Sequence, residues 1–367
     1  MCRNGAISMR RGSRYCLASS YKLPKIDKLL TDMMRSYAFT TQGRLYIKNL
    51  EPFLMPTLLA DTNLFLWIDM DNPTTEEIKC VLEDIFHFHP LSIEDCTQVS
   101  PSPKLDEYVP KMGEDRFNPY LFVVLHAVDY SRKDGVFDTS EMNFFIGKNF
   151  VVTFHYVTLK AIQEIAEKCE QTKKLIARTP DHLAHTLMDA IVDHYEPAVD
   201  ELAEEVSDLE TEVFSNEDTP EILNQIIKSK KEVAHLKQII QPQRDVIGRL
   251  GRGDLRLIKP SLLPYYRDVY DHLNDIHSRA SGYTETLTSM LQVYLSLSSN
   301  RTSEIIKVLT LFTILTTPTI LVGGWYGMNI DFPEVGVGKT SSIYWVWGVN
   351  LIMTLIIFLY IKKKKWF

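Results

Sequence analysis

Two long apolar runs near the C-terminus are the strongest feature in the pattern of hydrophobic and polar positions. The first extends without a charged side chain from Val308 to Tyr326, and the second extends from Ile343 to Ile361. A helix needs about 20 apolar residues to cross the hydrocarbon core of a bilayer. The pattern therefore predicts two transmembrane helices, at residues 303–328 and 343–361, joined by a loop at 329–342.

A heptad of apolar positions leads directly into the first run. Its members are Val269, Leu273, Ile276, Ala280, Tyr283, Leu287, Met290, Tyr294 and Leu297. This spacing is typical of helices that pack as coiled coils do. No cluster of proline or glycine interrupts the chain after Tyr265, so we predict one continuous helix over residues 264–326. A cytosolic stalk helix and the first membrane helix would then be one element.

A second stripe on this helix stays small and rich in hydroxyl groups inside the first predicted transmembrane helix. Its members there are Ser303, Ile306, Thr310, Thr313, Thr317, Ile320 and Gly324. One interpretation is that these hydroxyls bond to their own backbone or hold helices together. The other is a water-accessible line shared by several copies of the chain. Continuity with a polar face upstream favours the second interpretation, which requires a homo-oligomer because one helix cannot enclose a pore.

Residues 39–157 are predicted to form a mixed α/β domain, because short β-branched and aromatic runs alternate with amphipathic segments. The stretch Gly147-Lys148-Asn149 is the predicted turn of a hairpin. Thr74 or Thr75 is the predicted N-cap of a helix. Residues 158–302 are predicted to be helical, with a kink at Pro197 in a helix that begins at Asp181.

The N-terminal residues 1–38 differ in composition from the rest. The first 26 residues contain no acid and several arginines and serines, a composition that can mark a transit peptide. We expect instead a basic, disordered extension, or a chain whose start lies at Met33 or Met34.

Charges beside the apolar runs set the predicted orientation. The lysines at 362–365 follow the second run, and Arg301 and Lys307 precede the first. Cytoplasmic segments carry the excess of Lys and Arg, so both termini are predicted to be cytoplasmic. Residues 329–342 then form an external loop, and 362–367 form a cytosolic basic tail. We predict a multi-pass protein of the cell (inner) membrane, with the lipid bilayer as a partner.

The composition and motifs exclude several other classes of function. The net charge of −7 argues against nucleic acid as a partner, since phosphate binding requires clustered Lys and Arg. The five cysteines show no Cys-x-x-Cys spacing, so neither a disulfide framework nor a thiolate zinc site is indicated. The stretch from Gly336 to Thr340 lacks the P-loop spacing. We predict no enzymatic activity, no catalytic residue and no organic cofactor.

One cluster in the helical region has the residue types of a metal site. His182, His185, Asp189 and Asp193 lie at helical spacings on about one face, as metal ligands do. The interpretation we prefer is a satisfied surface or interface cluster, and we do not predict zinc there.

The residues at the end of the first membrane run resemble a known family. Tyr326-Gly327-Met328-Asn329, a short loop with Pro333-Glu334, a second apolar run and a lysine-rich tail resemble the CorA family of magnesium/cobalt divalent-cation channels. Further segments that resemble CorA proteins are HPLSIED (89–95), YYRDVYDHL (265–273), YLSLSSNRTSEIIKVLT (294–310) and KKKKWF (362–367). The resemblance covers roughly residues 40–367. It implies a homopentameric funnel: an N-terminal α/β cytosolic domain, long stalk helices, and five copies of the first membrane helix around a pore.

The resemblance also implies roles for individual residues. Asn329, with Gly327 and Met328, would form the external ring that selects a hydrated cation. Asp95 and Asp268, with Glu94 assisting, would bind regulatory Mg²⁺ between neighbouring cytosolic domains. Without the metal, these carboxylates would repel one another and loosen the interface. The positions near the implied conduction path are Ser303, Ile306, Leu309, Thr310, Thr313, Thr317, Ile320 and Gly324.

Two residues depart from the family pattern. Thr317, before Pro318, stands where a bulky apolar residue is common, so a hydrophobic gate there is expected to be weaker and to rest on Ile306 and Leu309. Gln292 stands where some members have an acid.

The predicted function is a passive channel in which Mg²⁺ is both substrate and regulatory ligand, with Co²⁺ and Ni²⁺ as alternative ions. The membrane potential would drive uptake, and Mg²⁺ bound between cytosolic domains would close the channel. A related transporter of Zn²⁺ or another transition metal is the first alternative. A membrane-anchored coiled-coil scaffold is the second.

Overall fold

The structure is a computed structural model that describes residues 34–98, 102–110, 117–129, 138–171, 178–215, 220–327 and 339–364. Within these residues the chain divides into two units. The first contains the described residues up to Glu196 together with Ile239–Asp275. The second contains the described residues of Pro197–Gln238 and of Ile276–Phe367.

A mixed sheet forms the centre of the first unit. Over the described residues its seven strands are β1 (Met34–Thr40), β2 (Leu45–Lys48), β3 (Leu64–Asp71), β4 (Lys104–Tyr108), β5 (Tyr120–Asp129), β6 (Asp138–Gly147) and β7 (Phe150–His155). Their order is β2-β1-β3-β7-β6-β5-β4. Neighbouring strands are antiparallel, except that β3 and β7 run parallel with Trp67 opposite Val151. The predicted mixed domain is therefore confirmed.

The hairpin between β6 and β7 has the predicted turn. Gly147 ends β6 and Phe150 begins β7. A Cβ atom on Gly147 would collide with the ring of Phe150, so the turn requires glycine at this position. Strand β1 begins at Met34, inside the predicted N-terminal extension, and its residues are largely buried against β3.

Helices cover both faces of the sheet. On one face lie α1 (Met55–Leu59), α2 (Thr75–Ile78) with its π-helical continuation Lys79–Ile85, and α3 (Pro90–Thr97). On the other lie α4 (Lys160–Gln171) and α5 (Pro180–Asp193). Sheets covered on both faces have nearly continuous apolar strands, which explains why all six residues of β7 are buried.

The N-cap of α2 is Thr74. Its hydroxyl accepts from the Glu77 N–H, and the Glu77 carboxylate accepts from the Thr74 N–H over 2.8 Å. This reciprocal pair satisfies two of the N–H groups that a helix start leaves unpaired, and it confirms one of the two predicted caps.

The predicted kinked helix around Pro197 is two helices. Helix α5 ends at Asp193, and α6 (Glu196–Phe214) begins three residues later. Proline lacks an N–H and its ring clashes with the carbonyl four residues earlier, here that of Asp193. A new helix start places Pro197 in the first turn, where the missing N–H is not needed.

The remaining helices are long and lie in the C-terminal part of the chain. They are α7 (Pro220–Leu250), α8 (Leu263–Tyr326) and α9 (Lys339–Lys363). The 64 residues of α8 would extend about 96 Å at the standard rise, which confirms the predicted single helix. Val269, Leu273, Ile276, Ala280, Leu287 and Met290 of the predicted heptad are buried, whereas Tyr283, Tyr294 and Leu297 are half-buried.

Two described segments are long and apolar enough to cross a membrane. They lie within Pro260–Trp325 and Tyr344–Lys363. The large apolar side chains of these segments are mostly exposed within the single chain, among them Ile320 and Trp345. Exposure of this kind suits a lipid environment or a neighbouring copy rather than water. The predicted C-terminal pair of apolar helices is therefore present.

Candidate metal sites and pore-lining helix

Helix α3, which carries Glu94 and Asp95, is held firmly at its start. The Nδ1 atom of His89 accepts from the Leu91 N–H, and Pro90 occupies the first helical position. The fully buried hydroxyl of Tyr120 on β5 accepts from the His89 N–H over 3.0 Å and bonds to the Ser92 hydroxyl over 2.7 Å. The first turn of α3 is thus bonded to the sheet, and its two acids lie one turn further on.

The two predicted acids of α3 have different partners. Asp95 forms an ion pair with Lys104, the first residue of β4. Glu94 is exposed and accepts from the Gln98 side chain over 3.3 Å. Asp95 is therefore neutralised by a cation of its own chain, a contact that no motif predicted.

Asp268, the other predicted regulatory acid, lies beside a cluster at the start of α8. Asp189 and Asp193 of α5 and His272 of α8 place one ligand atom each within 4.8 Å of one another. His272 Nδ1 lies 3.8 Å from Asp193 Oδ1. Asp268 is one helical turn before His272 and close enough to influence Asp189 electrostatically.

The carboxylate of Asp189 has a raised pKa. Burial raises the pKa of Asp189, and Asp193 raises this pKa further, whereas His185 and His272 lower it and Asp268 raises it. The net effect is a pKa above the ordinary value for aspartate. Crowded carboxylates with raised pKa values are stabilised by a bound cation, because its charge removes their mutual repulsion.

The structure divides the histidine and aspartate cluster of the sequence analysis. Asp189 and Asp193 join His272, whereas the His185 ring packs edge-on against the Tyr266 ring at 5.1 Å. His182 lies beside His185, with ring centroids 6.5 Å apart. His272 was missed from the sequence, although its position four residues after Asp268 places both on one face of α8.

The predicted pore positions lie along the exposed side of α8 within the single chain. Ser303, Ile306, Leu309, Thr313, Thr317, Ile320 and Gly324 are exposed, and Thr310 is half-buried. The hydroxyls of Ser303, Thr310, Thr313 and Thr317 each donate to the carbonyl four residues earlier. A hydroxyl whose proton is used in this way presents only oxygen lone pairs to other partners.

Thr319 bonds differently from these threonines. The Asn350 Nδ2 atom of α9 donates to the Thr319 hydroxyl over 3.1 Å, and the Asn350 Oδ1 atom lies 3.4 Å from the same oxygen. Bonding to the helix's own backbone and joining of helices, the two forms of the first interpretation of these hydroxyls, thus both occur in α8.

The predicted selectivity motif is described only at its first residue. Helix α8 ends at Tyr326, and the Gly327 N–H donates to the Gly323 carbonyl over 2.9 Å. Met328 and Asn329 lie outside the described residues. Their role therefore stays a prediction from the sequence.

Comparison with known proteins gives a consistent assignment. The chain matches the CorA-like Mg²⁺ transporter protein family over residues 63–363. It is 28% identical over 314 residues to the cobalt/magnesium transport protein CorA of Thermotoga maritima, covering 83% of this chain and 84% of that protein.

A second relative and a solved structure agree with the first. The chain is 24% identical to the cobalt/magnesium transport protein CorA of Methanocaldococcus jannaschii, over 86% of this chain and 94% of that protein. The complete structure of the CorA magnesium transporter from the same organism superimposes with a TM-score of 0.74 at 19% identity, covering 92% of this chain and all of that one. The sheet domain, the long helix and the C-terminal apolar helix are common to the fold. This chain belongs to the CorA-like Mg²⁺ transporter family.

Proposed function

We propose that the chain forms a homopentameric channel for passive entry of Mg²⁺ across the cell (inner) membrane, with both termini cytoplasmic. The observation that carries the proposal is the continuity of α8. The same helix bears Asp268 and His272 near its start and the hydroxyl-lined stripe near its end. Metal bound at the start of a rigid helix can therefore bias the position of its pore-lining end.

The bonding of the pore hydroxyls suits a hydrated divalent cation. Ser303, Thr313 and Thr317 use their protons within α8, so their oxygens can accept from the water molecules around the ion. Mg²⁺ releases its waters reluctantly, and a line of acceptors lets it pass with that shell in place. Asn329, with Gly327 and Met328, would form the outer ring that accepts the hydrated ion first.

No chemical energy source is needed for this transport. An inside-negative potential of 100 mV is worth about 2.3 kcal/mol for each elementary charge. A divalent ion therefore gains about 4.6 kcal/mol on entry. Each protomer contributes one copy of α8, and five copies would enclose the pore.

Closure by Mg²⁺ would use the acids at the cytosolic end. Asp95, assisted by Glu94, would face Asp268 of a neighbouring copy, and Asp189, Asp193 and His272 lie beside Asp268. Carboxylate oxygens are the ligands that Mg²⁺ prefers. Bound metal would join neighbouring copies, and its loss would remove this link between them.

A second candidate function is transport of Zn²⁺ or another transition metal by the same architecture. The observation that favours it is the imidazole of His272 beside two carboxylates, because imidazole suits Zn²⁺, Co²⁺ and Ni²⁺ better than Mg²⁺.

Ion flux into proteoliposomes tests both candidates. Vesicles that contain the purified full chain and an ion indicator would receive Mg²⁺, Co²⁺ or Zn²⁺ under an inside-negative potential, with and without Mg²⁺ at the cytosolic face. We expect potential-dependent Mg²⁺ entry that cytosolic-face Mg²⁺ abolishes, and no entry in Asn329→Ala, although this variant still assembles. Absence of Mg²⁺ entry in the parent would overturn the proposal, and Zn²⁺ entry alone would support the second candidate.

A further inference from the structure

Lys104 and Asp95 form an ion pair that is built into the fold. The Lys104 ammonium contacts Asp95 Oδ2, and it also lies 5.3 Å from the centre of the Phe122 ring. Phe122 is fully buried in β5. The side chains of Lys104 and Asp95 are only 28% and 37% exposed.

Both partners are held by secondary structure. Lys104 is the first residue of β4, where it lies opposite Val124 of β5, and an ammonium above an aromatic ring is attracted to its face. Asp95 is on α3, whose first turn is bonded to Tyr120. Most exposed ion pairs are weak because two flexible side chains must be ordered to form them. Here the fold already restricts both side chains, so this cost is smaller.

We propose that Lys104 is a tethered cation that occupies Asp95 when no divalent ion is bound and that competes with the ion for this carboxylate. The inference rests on the proposed regulatory role of Asp95. Asp95 then always has a cation beside it. When the divalent ion leaves, the Lys104 ammonium takes its place at this carboxylate. A divalent ion must either displace the ammonium or bind beside it, and both lower the affinity of the site.

The competition would set the Mg²⁺ concentration at which the channel closes. An ammonium that stays near the bound ion repels it, and one that is displaced loses its contact with Asp95. Coulomb energies at contact distance in a partly exposed site, reduced by screening, correspond to a shift of about two- to tenfold in the closing concentration. Lys104 would therefore make the sensor less sensitive to Mg²⁺ than its carboxylates alone.

Three variants of Lys104 test this role. Lys104→Met removes the charge, Lys104→Gln removes the charge but keeps a donor, and Lys104→Arg keeps the charge. Flux into proteoliposomes would be recorded against the Mg²⁺ concentration at the cytosolic face, and Mg²⁺ binding to the same detergent-solubilised full chain would be measured by calorimetry. We expect Lys104→Met and Lys104→Gln to close and to bind at about two- to tenfold lower Mg²⁺, and Lys104→Arg to match the parent.

A matched ion pair on the opposite edge of the sheet provides the control. Lys48 of β2 lies 3.1 Å from Glu170, and β2 and β4 are the two edge strands of the order given above. Lys48→Met removes the same charge from the same domain, so its closing concentration should equal that of the parent. An equal shift in Lys48→Met would assign the effect to net charge and overturn the role of Lys104.

The outcomes separate this inference from the proposed function. Asp95→Asn should weaken Mg²⁺ binding. One outcome refutes the competition and leaves the role of Asp95 in place. In it, Asp95→Asn binds Mg²⁺ more weakly than the parent, whereas Lys104→Met binds Mg²⁺ no more tightly than the parent and unfolds at the parent's temperature. If Asp95→Asn binds as the parent does, the regulatory assignment of Asp95 fails, and the inference fails with it.

Discussion

The imidazole of His155 donates from Nε2 to Asp69 Oδ1 over 3.1 Å in the interior of the sheet. Its other nitrogen, Nδ1, lies 2.8 Å from the carbonyl of Val157, which can only accept. Because a carboxylate and a carbonyl both accept hydrogen bonds, these contacts favour a proton on each ring nitrogen, so that His155 pairs with Asp69 as an imidazolium. The Thr153 hydroxyl also donates to Asp69, and Arg35 lies 3.6 Å from its other oxygen.

Loss of one partner of this buried pair should destabilise the sheet domain strongly. Asp69→Asn removes the buried carboxylate that accepts from His155 and leaves Asp71, 3.6 Å from Nδ1, as the remaining nearby anion. Breaking a buried pair typically costs about 3–5 kcal/mol. Chemical denaturation followed by tryptophan fluorescence would measure the loss, because Trp67 donates to Thr153 within the same network. The control is Lys48→Ala at the exposed pair with Glu170, where a cost of at most about 1 kcal/mol is expected. Equal losses in the free energy of unfolding for Asp69→Asn and Lys48→Ala would contradict a buried ion pair between His155 and Asp69.

The same pair should make stability depend on pH in both directions. Burial alone lowers the pKa of His155, but the hydrogen bond to Asp69 and the charges of Asp69 and Asp71 raise it above the ordinary 6.5. Burial alone raises the pKa of Asp69, but the hydrogen bonds and charge of His155 lower it below the ordinary 3.8. The stabilisation is thus fully present between these ordinary values.

The expected pH profile follows from these signs. Stability is lost as pH rises through the raised pKa of His155, since the imidazolium then loses its proton. It is lost at the acid end as pH falls through the lowered pKa of Asp69. Denaturation midpoints measured across this range for the parent and for His155→Gln should differ most between the two ordinary pKa values. A constant difference at every pH would contradict the charged pair.

Much of the fold could be predicted from local pattern. The glycine turn before Phe150, the Thr74 cap and the heptad after Tyr265 are each signals carried by a few neighbouring residues. The helix break before Pro197 could not be located, because a proline is compatible both with a kink inside a helix and with a new helix start.

The site was predicted less completely, for a different physical reason. Asp95 and Asp268 come from motif resemblance, but the ion pair of Asp95 with Lys104 joins a helix to a strand. The contact of His272 with Asp193 joins two helices far apart in the sequence. Helical spacing shows which residues share a face and does not show which other element covers that face.

The cluster at the start of α8 should distinguish ions by their preferred ligands. His272→Ala is expected to change closure by Mg²⁺ little, since Mg²⁺ prefers oxygen ligands. The same variant should require at least about tenfold more Co²⁺ or Ni²⁺ for closure, because imidazole binds these ions well. The measurement is flux against cytosolic-face ion concentration.

Asp268→Ala should leave the channel open at Mg²⁺ concentrations that close the parent, in the same flux measurement.

An exposed histidine elsewhere provides the control for the His272→Ala prediction. His235→Ala on α7 removes an exposed imidazole that is not among the clustered ligands, so its closure curves should match those of the parent for all three ions. Equal sensitivity of His272→Ala to Mg²⁺ and Co²⁺ would show that His272 is not a ligand of the bound ion.

The hydrogen bond between Asn350 and Thr319 should behave as a coupled pair between the membrane helices. Thr319→Val leaves the Asn350 side chain without this partner in an apolar environment, and interhelical bonds of this kind are worth about 0.6–2 kcal/mol. Asn350→Leu removes the amide and leaves a hydroxyl that can bond to its own helix. We expect the double variant to be no less stable than Thr319→Val, since replacing both partners by apolar groups restores a compatible contact. Unfolding of the purified full chain by a denaturing detergent measures all four proteins.

Thr316→Val is the matched control, because it makes the same substitution three residues away on the same helix. The Thr316 hydroxyl donates to the Phe312 carbonyl over 3.0 Å, so its removal leaves no side chain of α9 unpaired. Its effect should therefore add to that of Asn350→Leu, whereas the effect of Thr319→Val should not. Additivity of Thr319→Val with Asn350→Leu would mean that the two residues act independently, and that their hydrogen bond does not join α8 to α9.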